Sequence, residues 1–335
     1  SSPSSAAWLI ADRNVPARAS CELMVLAIMS LVVFFGVSVV GDPVDSLVSA
    51  DADQAEIARV TREFGLDKPL WAQYGYFIGG LFRGDLGNSF LFGRPALEVI
   101  IERMPATLEL AIIALLLSIV IGIPLGLYAG LKPESKLSRF FMAGSIFGFS
   151  LPTFWVGIMM MLVFAAYLGW FPATGRGDVV DLWGLKVSFL TLDGWSHLVL
   201  PALNLALLHI SLVMRLTRAG VREAALQDYI KFARAKGLSE NRVIAVHLMK
   251  NILIPIITVL GIEFGSLIAF SVVTETIFAW PGMGAVLIEA ILTLDRPIIV
   301  AYLMMIVVLF VVINLLVDIV YSILDPRVRL SESGA

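Results

Sequence analysis

The chain has 335 residues, 59% of them hydrophobic and 15% charged, with a mean hydropathy of +0.89. Soluble domains carry about a quarter charged residues, so this composition excludes an ordinary water-soluble globule and calls for lipid against much of the surface. The net charge of -3 says little about partners, because in a membrane protein the position of Lys and Arg around the spans carries the signal. A single cysteine, Cys21, excludes an intrachain disulfide and a cysteine-based metal cluster.

A bilayer core of about 30 Å needs about 20 mostly apolar residues per crossing helix. Residues 1–21 are rich in Ser, Ala and Pro without apolar period and read as a disordered tail. The first span is expected from Glu22 to Val40; it lacks an A-x-A-like site and runs into Gly41-Asp42-Pro43, so it reads as a retained helix, not a cleaved signal. An outer helical insertion occupies 42–105: Asp53 can cap a short helix ending at Gly65, and Asp67 followed by Pro69 starts a second one reaching the region of Gly84. In that second helix Trp71, Tyr74, Ile78, Leu81 and Phe82 form an aromatic face, suited either to the membrane interface or to the outer ends of other spans.

Five further spans are expected: Ala106–Leu131, Phe140–Leu168, Leu198–Met214 (the shortest), Asn251–Val273 and Ile298–Leu324. Residues 331–335 form a C-terminal tail. No repeat of 20 to 50 residues is present, so the predicted fold is an all-α integral membrane protein with six transmembrane helices.

Basic residues set the predicted orientation. The 215–250 loop holds Arg215, Arg218, Arg222, Lys231, Arg234, Lys236, Arg242 and Lys250, and the loop after the second span holds Lys132, Lys136 and Arg139. The positive-inside rule places both loops, and hence both termini, in the cytoplasm, with 42–105 outside.

The 215–250 loop is also too regular for a simple connector. Glu223 to Lys236 favours helix, Gly237 can take the left-handed conformation that ends one, and Ser239 can cap a second. Ala233 and Gly237, four apart, leave a face of little bulk among basic side chains, a shape for docking a protein. A basic segment lying on anionic lipid is the physical alternative.

Residue patterns along the chain decide between these. DYIKFARAKGL (228–238), followed by His247, Asn251 and Ile254-Pro255, resembles the coupling-loop signature of peptide-type ABC importer permeases. Gly41-Asp42-Pro43, FGLDKPLWAQY from Phe64, RGDLGNS from Arg83, Gly93-Arg94-Pro95, ERMPATLELA from Glu102, Leu200-Pro201-Ala202, TETIFAWPGMG from Thr274 and NLLVDIVYSILDPRVR from Asn314 resemble the first permease subunit of the oligopeptide/dipeptide/nickel family. The resemblance covers about 22–330 and departs from the family at the Ser-rich start, at Phe270 and at Leu294-Asp295-Arg296-Pro297.

The resemblance implies a type I ABC importer permease whose coupling residues are Asp228, Tyr229, Ala233, Arg234, Ala235, Lys236, Gly237 and Leu238. Implied partners are a second permease subunit in a heterodimer, two ATPase subunits or domains, and an external substrate-binding protein, with membrane lipid around them, a peptide as cargo and no nucleic acid. ATP and Mg belong to the partner subunits, and no cofactor or metal is expected on this chain, which has no G-x-x-x-x-G-K-[ST] and no Gly-Lys pair.

Polar residues within spans have two readings. Asn204, His209, Glu263 and Asn314 could line a translocation path, Glu263 meeting a peptide amino group; the plainer reading is hydrogen bonding between helices. Glu109 is expected to gain its stability from a nearby helix N-terminus. Trp280, Pro281 and Gly282 read as an outer gate, a docking surface or a simple turn. Nickel chelate, glutathione and opine-like solutes are alternative cargoes for such a permease. An ion-coupled secondary transporter would show inverted repeats, and an intramembrane enzyme would show facing catalytic groups; neither is visible in the sequence.

Overall fold

The computed structural model describes residues 24, 26–36, 53–63 and 67–324, without the side chains of 60, 63, 318 and 320–324. The tails at 1–21 and 331–335, the Gly41-Asp42-Pro43 motif, Gly65 and the closing DPRVR run lie outside the described residues, as do both ends of the expected first span. The chain divides into two compact units, Ser1–Ile101 with Glu289–Val311, and Glu102–Ile288 with Val312–Ala335.

In the first unit, the apolar helix α1 (Leu26–Gly36) is the described part of the first span. Helix α2 (Gln54–Glu63) starts as expected, with the Glu56 amide donating to Asp53 Oδ1 at 2.7 Å. Helix α3 (Leu70–Leu81) starts where Asp67 followed by Pro69 led one to expect, with Pro69 at its N-cap in extended geometry (φ -61°, ψ 145°). Its aromatic face packs on α1: Tyr74 lies against Phe34 and Phe35 with ring centroids 5.4 and 6.1 Å apart, and its hydroxyl meets Ser30 Oγ at 2.9 Å. Trp71 and Phe82 remain exposed.

Helix α4 (Ala96–Leu131) begins ten residues before the expected span and passes through Pro105 and Pro124. The expected third span is broken: α5 (Lys136–Ser150) and α6 (Thr153–Tyr167, ending in a π-helical turn from Met161) meet at 107°. Pro152 explains the break, since it pushes Leu151 into extended geometry (φ -84°, ψ 137°). A hairpin of β1 (Val180–Leu182) and β2 (Leu185–Val187) follows, a small local departure from helix among the described residues.

Helix α7 (Leu192–Ala225) corrects the shortest expected span to one of 34 residues. Asn204 and His209 had lowered its apparent hydropathy, yet it is the most enclosed span of the four long ones, 67% of its apolar window being buried. Arg215, Arg218 and Arg222 stand on its last turns, not in a loop. The short helix α8 (Asp228–Ala235) follows, then α9 (Glu240–Ile277), α10 (Met283–Leu292) and α11 (Arg296–Leu324). The second helix expected after Gly237 is thus the opening of the fifth span.

Among the described residues, α4, α7, α9 and α11 are long and apolar enough to cross a membrane, and α5 with α6 makes a fifth, bent candidate. These correspond to five of the six expected spans, and α1 to the described part of the other.

In the second unit α7 is the central helix. Gly122, Gly126 and Gly130, one per helical turn of α4, bring the two backbones together: a Cβ at Gly126 would lie 2.5 Å from the Met214 carbonyl oxygen and 2.6 Å from Thr217 Cβ. Small residues at this spacing allow close packing where apolar burial alone gives helices no reason to associate. Val213, Val221, Ile252, Ile256 and Leu260 continue the core between α7 and α9.

Candidate functional site

Helix α8 is separated from α7 by a break at Leu226-Gln227 and closed by a left-handed residue. Gly237 has φ +74°, its amide donates to the Arg234 carbonyl at 2.9 Å, and the Leu238 amide reaches back to the Ala233 carbonyl at 3.4 Å. This pair of bonds is a Schellman closure, which requires a left-handed residue at that position. It turns the chain into α9 without a free connector, so α8 is held at the joint of two spans.

The two faces of α8 differ from the sequence expectation. Ile230 and Ala233 are buried, packed with Val221, Ala224, Val243 and Leu248, so the small face at Ala233 looks into its own chain. The helix has to seat against α7 and α9 before it can present anything outward, and the least bulky side achieves that seat. Tyr229 and Phe232 are exposed, Phe232 by 62%, with Leu226 beside them in sequence at 74%. Lys236 Nζ lies 4.6 Å from the Phe232 ring centroid. Asp228 pairs with Lys231 at 2.9 Å, and Arg234 with Glu240 at 2.9 Å. Ala235 and Gly237 are also exposed and Leu238 half-buried. The outward surface is therefore aromatic with a basic rim, and Phe232 and Leu226 are its additions to the expected residues.

A second cluster joins the loops that connect spans. Glu109 lies thirteen residues into α4, so a helix N-terminus does not account for it. It is buried: its Oε2 accepts from Arg176 Nη2 at 2.5 Å and Nε at 3.1 Å, and its Oε1 accepts from the Ser188 amide and hydroxyl at 2.7 and 2.9 Å and from the Phe189 amide at 2.7 Å. The Arg176 guanidinium sits 5.6 Å from the Trp280 ring centroid. Trp280, fully buried, donates through Nε1 to the Ala106 carbonyl at 2.9 Å.

Glu275, also fully buried, is the second anchor of this cluster. It accepts from Thr107 Oγ1 at 2.7 Å, Ser271 Oγ at 2.9 Å and the amides of Gly284 and Ala285 at 2.7 and 3.1 Å. Gly282 is glycine because a Cβ there would collide with the Glu275 carboxyl group. Trp280 and Gly282 are thus interior braces with no surface for direct docking, and Pro281 is half-buried. Neither Arg176 nor Glu275 stood out in the sequence as a site residue, since nothing local marks a carboxylate whose donors are main-chain amides.

Of the four polar span residues, the structure brings two together. His209 Nε2 lies 3.2 Å from Glu263 Oε2. Asn204 donates to Thr274 Oγ1 at 3.1 Å. Asn314 is half-buried, and among the described residues no hydrogen bond or ion pair joins it to the other three. In the first unit, Asp295 is buried and holds the 85–95 loop through Ser89 Oγ at 2.5 Å and the Leu91 amide at 3.0 Å.

A set of apolar spanning helices, with a short capped helix offering aromatic surface at the joint of two of them, defines a multi-pass membrane transport subunit. The chain belongs to the family of binding-protein-dependent transport system inner membrane components, whose model matches residues 122–330, while the model of the family's N-terminal region matches 13–111. It is a permease of a binding-protein-dependent ABC importer.

Similar proteins include the dipeptide transport system permease protein DppB of Escherichia coli, 36% identical over 86% of this chain and 90% of that protein. That of Alkalihalophilus pseudofirmus is 36% identical over 91% and 96%, and the di/tripeptide transport system permease protein DppB of Pseudomonas aeruginosa is 36% identical over 88% and 95%. In fold the chain is similar to the MetNI methionine ABC transporter in inward-facing conformations, with a TM-score of 0.52 at 17% identity over 68% of this chain and 96% of that one.

Proposed function

We propose that this permease carries di- and oligopeptides inward as one half of a heterodimeric pore, by alternating access driven by ATP hydrolysis on separate subunits. What supports the cargo is the extent of the likeness to dipeptide and di/tripeptide permeases, 36% identity across nearly the whole of both chains.

Helix α8 is the coupling element in this reading. Tyr229 and Phe232 enter a groove on an ATPase subunit, Lys236 and Arg234 surround them, and Asp228, Ala233, Ala235, Gly237 and Leu238 build and seat the helix. A rigid helix fixed to two spans transmits a rocking movement that a loose loop would absorb. The basic residues around α8 and at the C-terminal end of α7 support a cytoplasmic location for this side and for both termini, with 42–105 and, separately, the Glu109–Glu275 cluster on the side of a substrate-binding protein. ATP and Mg would be held by the ATPases, and Asn204, His209, Glu263 and Asn314 remain the candidate path residues.

The test is ATP-dependent uptake into proteoliposomes holding this chain, the second permease and the ATPases, with a binding protein presenting labelled dipeptide, glutathione or nickel chelate. Uptake of dipeptide above the other two supports the reading, and uptake of only another solute overturns the cargo.

A further inference from the structure

Glu263 lies near the middle of the apolar stretch of α9, and His209 is at the middle of α7. The two sides of α9 around Glu263 are unlike. Ile252, Ile256, Leu260, Leu267 and Ser271 are buried against the rest of the chain, whereas Ile262, Phe270 and Val273 are exposed. Glu263 sits at the edge of that open stripe, with 27% of its side chain accessible. An ionisable group at this depth is costly against acyl chains and stands where protein or water meets the helix.

His209 fixes which way the carboxyl group faces. Its ring is buried, and its Nδ1 is 3.3 Å from the Leu205 carbonyl, which can only accept, so Nδ1 carries a hydrogen. Nε2 meets no partner at hydrogen-bond geometry and is left 3.2 Å from Glu263 Oε2, where a second proton on the ring makes the two an ion pair. The other carboxyl oxygen has no donor among the described residues, and it belongs to the only part of the pair that is open. A transport path that passes peptides of differing side chains can rely on the ammonium group they have in common, and a carboxylate with one oxygen tethered and one free is a partner for it.

We propose that Glu263, oriented by His209, is a subsite of the transport path that receives the ammonium group of the passing peptide. This rests on the peptide reading above. His209 is a positioning residue, and Glu263 is the group that touches cargo.

The experiment uses the full transporter in proteoliposomes with its binding protein, in a Cys21→Ser background. Glu263→Cys is treated with a water-soluble methanethiosulfonate before and after denaturation, and peptide transported per ATP hydrolysed is measured for Glu263→Gln and Glu263→Asp. The expected results are a thiol that reacts in the assembled transporter, a fall of at least tenfold in peptide per ATP for Glu263→Gln, and substantial recovery for Glu263→Asp. A thiol that reacts only after denaturation places Glu263 against another helix and overturns the subsite. Wild-type peptide per ATP in Glu263→Gln, which keeps the shape and an acceptor oxygen but no charge, overturns it too. If no peptide-loaded binding protein stimulates hydrolysis in the unmodified transporter, the peptide reading itself has failed, and that outcome is distinct from an unreactive thiol in a peptide-stimulated one.

Discussion

Truncating Arg176 to alanine should release the segment between α6 and α7 from α4. Glu109 is enclosed, its side chain 2% exposed, and Arg176, at 11%, supplies its only ion-pair partner among the described residues. Removing one member of a buried pair costs about 3–5 kcal/mol because the remaining charge stays buried without a counter-charge. Three donors from Ser188 and Phe189 stay on Glu109 Oε1, which puts the cost near the lower end, about 3 kcal/mol. The lost contact over Trp280 adds about 0.5–1 kcal/mol. At about 1.4 kcal/mol per factor of ten, the docked segment loses stability by roughly two and a half to three orders of magnitude. Hydrogen exchange of the 170–190 amides in detergent or nanodiscs reads this directly: Arg176→Ala should exchange roughly five-hundredfold faster there than the parent, with α7 amides near His209 little changed. A Glu109→Gln/Arg176→Met double variant should recover most of the protection, because it leaves no unpaired charge and keeps a carbonyl oxygen for the Ser188 and Phe189 donors. Unchanged exchange at 170–190 in Arg176→Ala would refute the argument that this pair holds the segment.

Three further outcomes follow from the same geometry. Gly237→Val places a β-branched residue at φ +74°, where no side chain obstructs it, so the cost is the left-handed backbone alone, about 1–2 kcal/mol; peptide uptake per ATP should fall while Gly237→Asn retains more of it. Phe232→Ala should weaken retention of the ATPase during purification without lowering the thermal midpoint of the permease, whereas Ala233→Glu, on the buried face, should lower that midpoint. Gly126→Ile should prevent α4 from seating on α7, read as loss of a monodisperse peak in size-exclusion chromatography, because its Cβ would lie 2.5 Å from the Met214 carbonyl oxygen.

The spans were legible in the sequence because hydropathy reports length directly. Their breaks were less so. Pro152 splits the third span, while Pro105, Pro124, Pro201 and Pro255 are carried within helices. Tertiary packing decides which proline ends a helix, and that is not local information. The turn at Gly237 and the cap at Asp53 were readable because each depends on neighbouring residues alone. The orientation of α8 was not: a small residue such as Ala233 suits a partner's groove or its own core equally, and only contacts with Val243 and Leu248 select the core. Glu109, Arg176, Glu275 and Asp295 were hidden for a related reason, since their donors come from residues up to 206 positions away or from backbone amides that carry no sequence signature.

Coupling through α8 is what would make this membrane protein a driven one. The most direct measurement is cross-linking between a cysteine at Phe232 and single cysteines on the copurified ATPase, in a Cys21→Ser background, with ATP hydrolysis recorded before and after the bond is closed. Coupling through α8 predicts a specific cross-link and hydrolysis that the peptide-loaded binding protein stimulates before closure. An ATPase that copurifies and is stimulated yet never cross-links through α8 would contradict it.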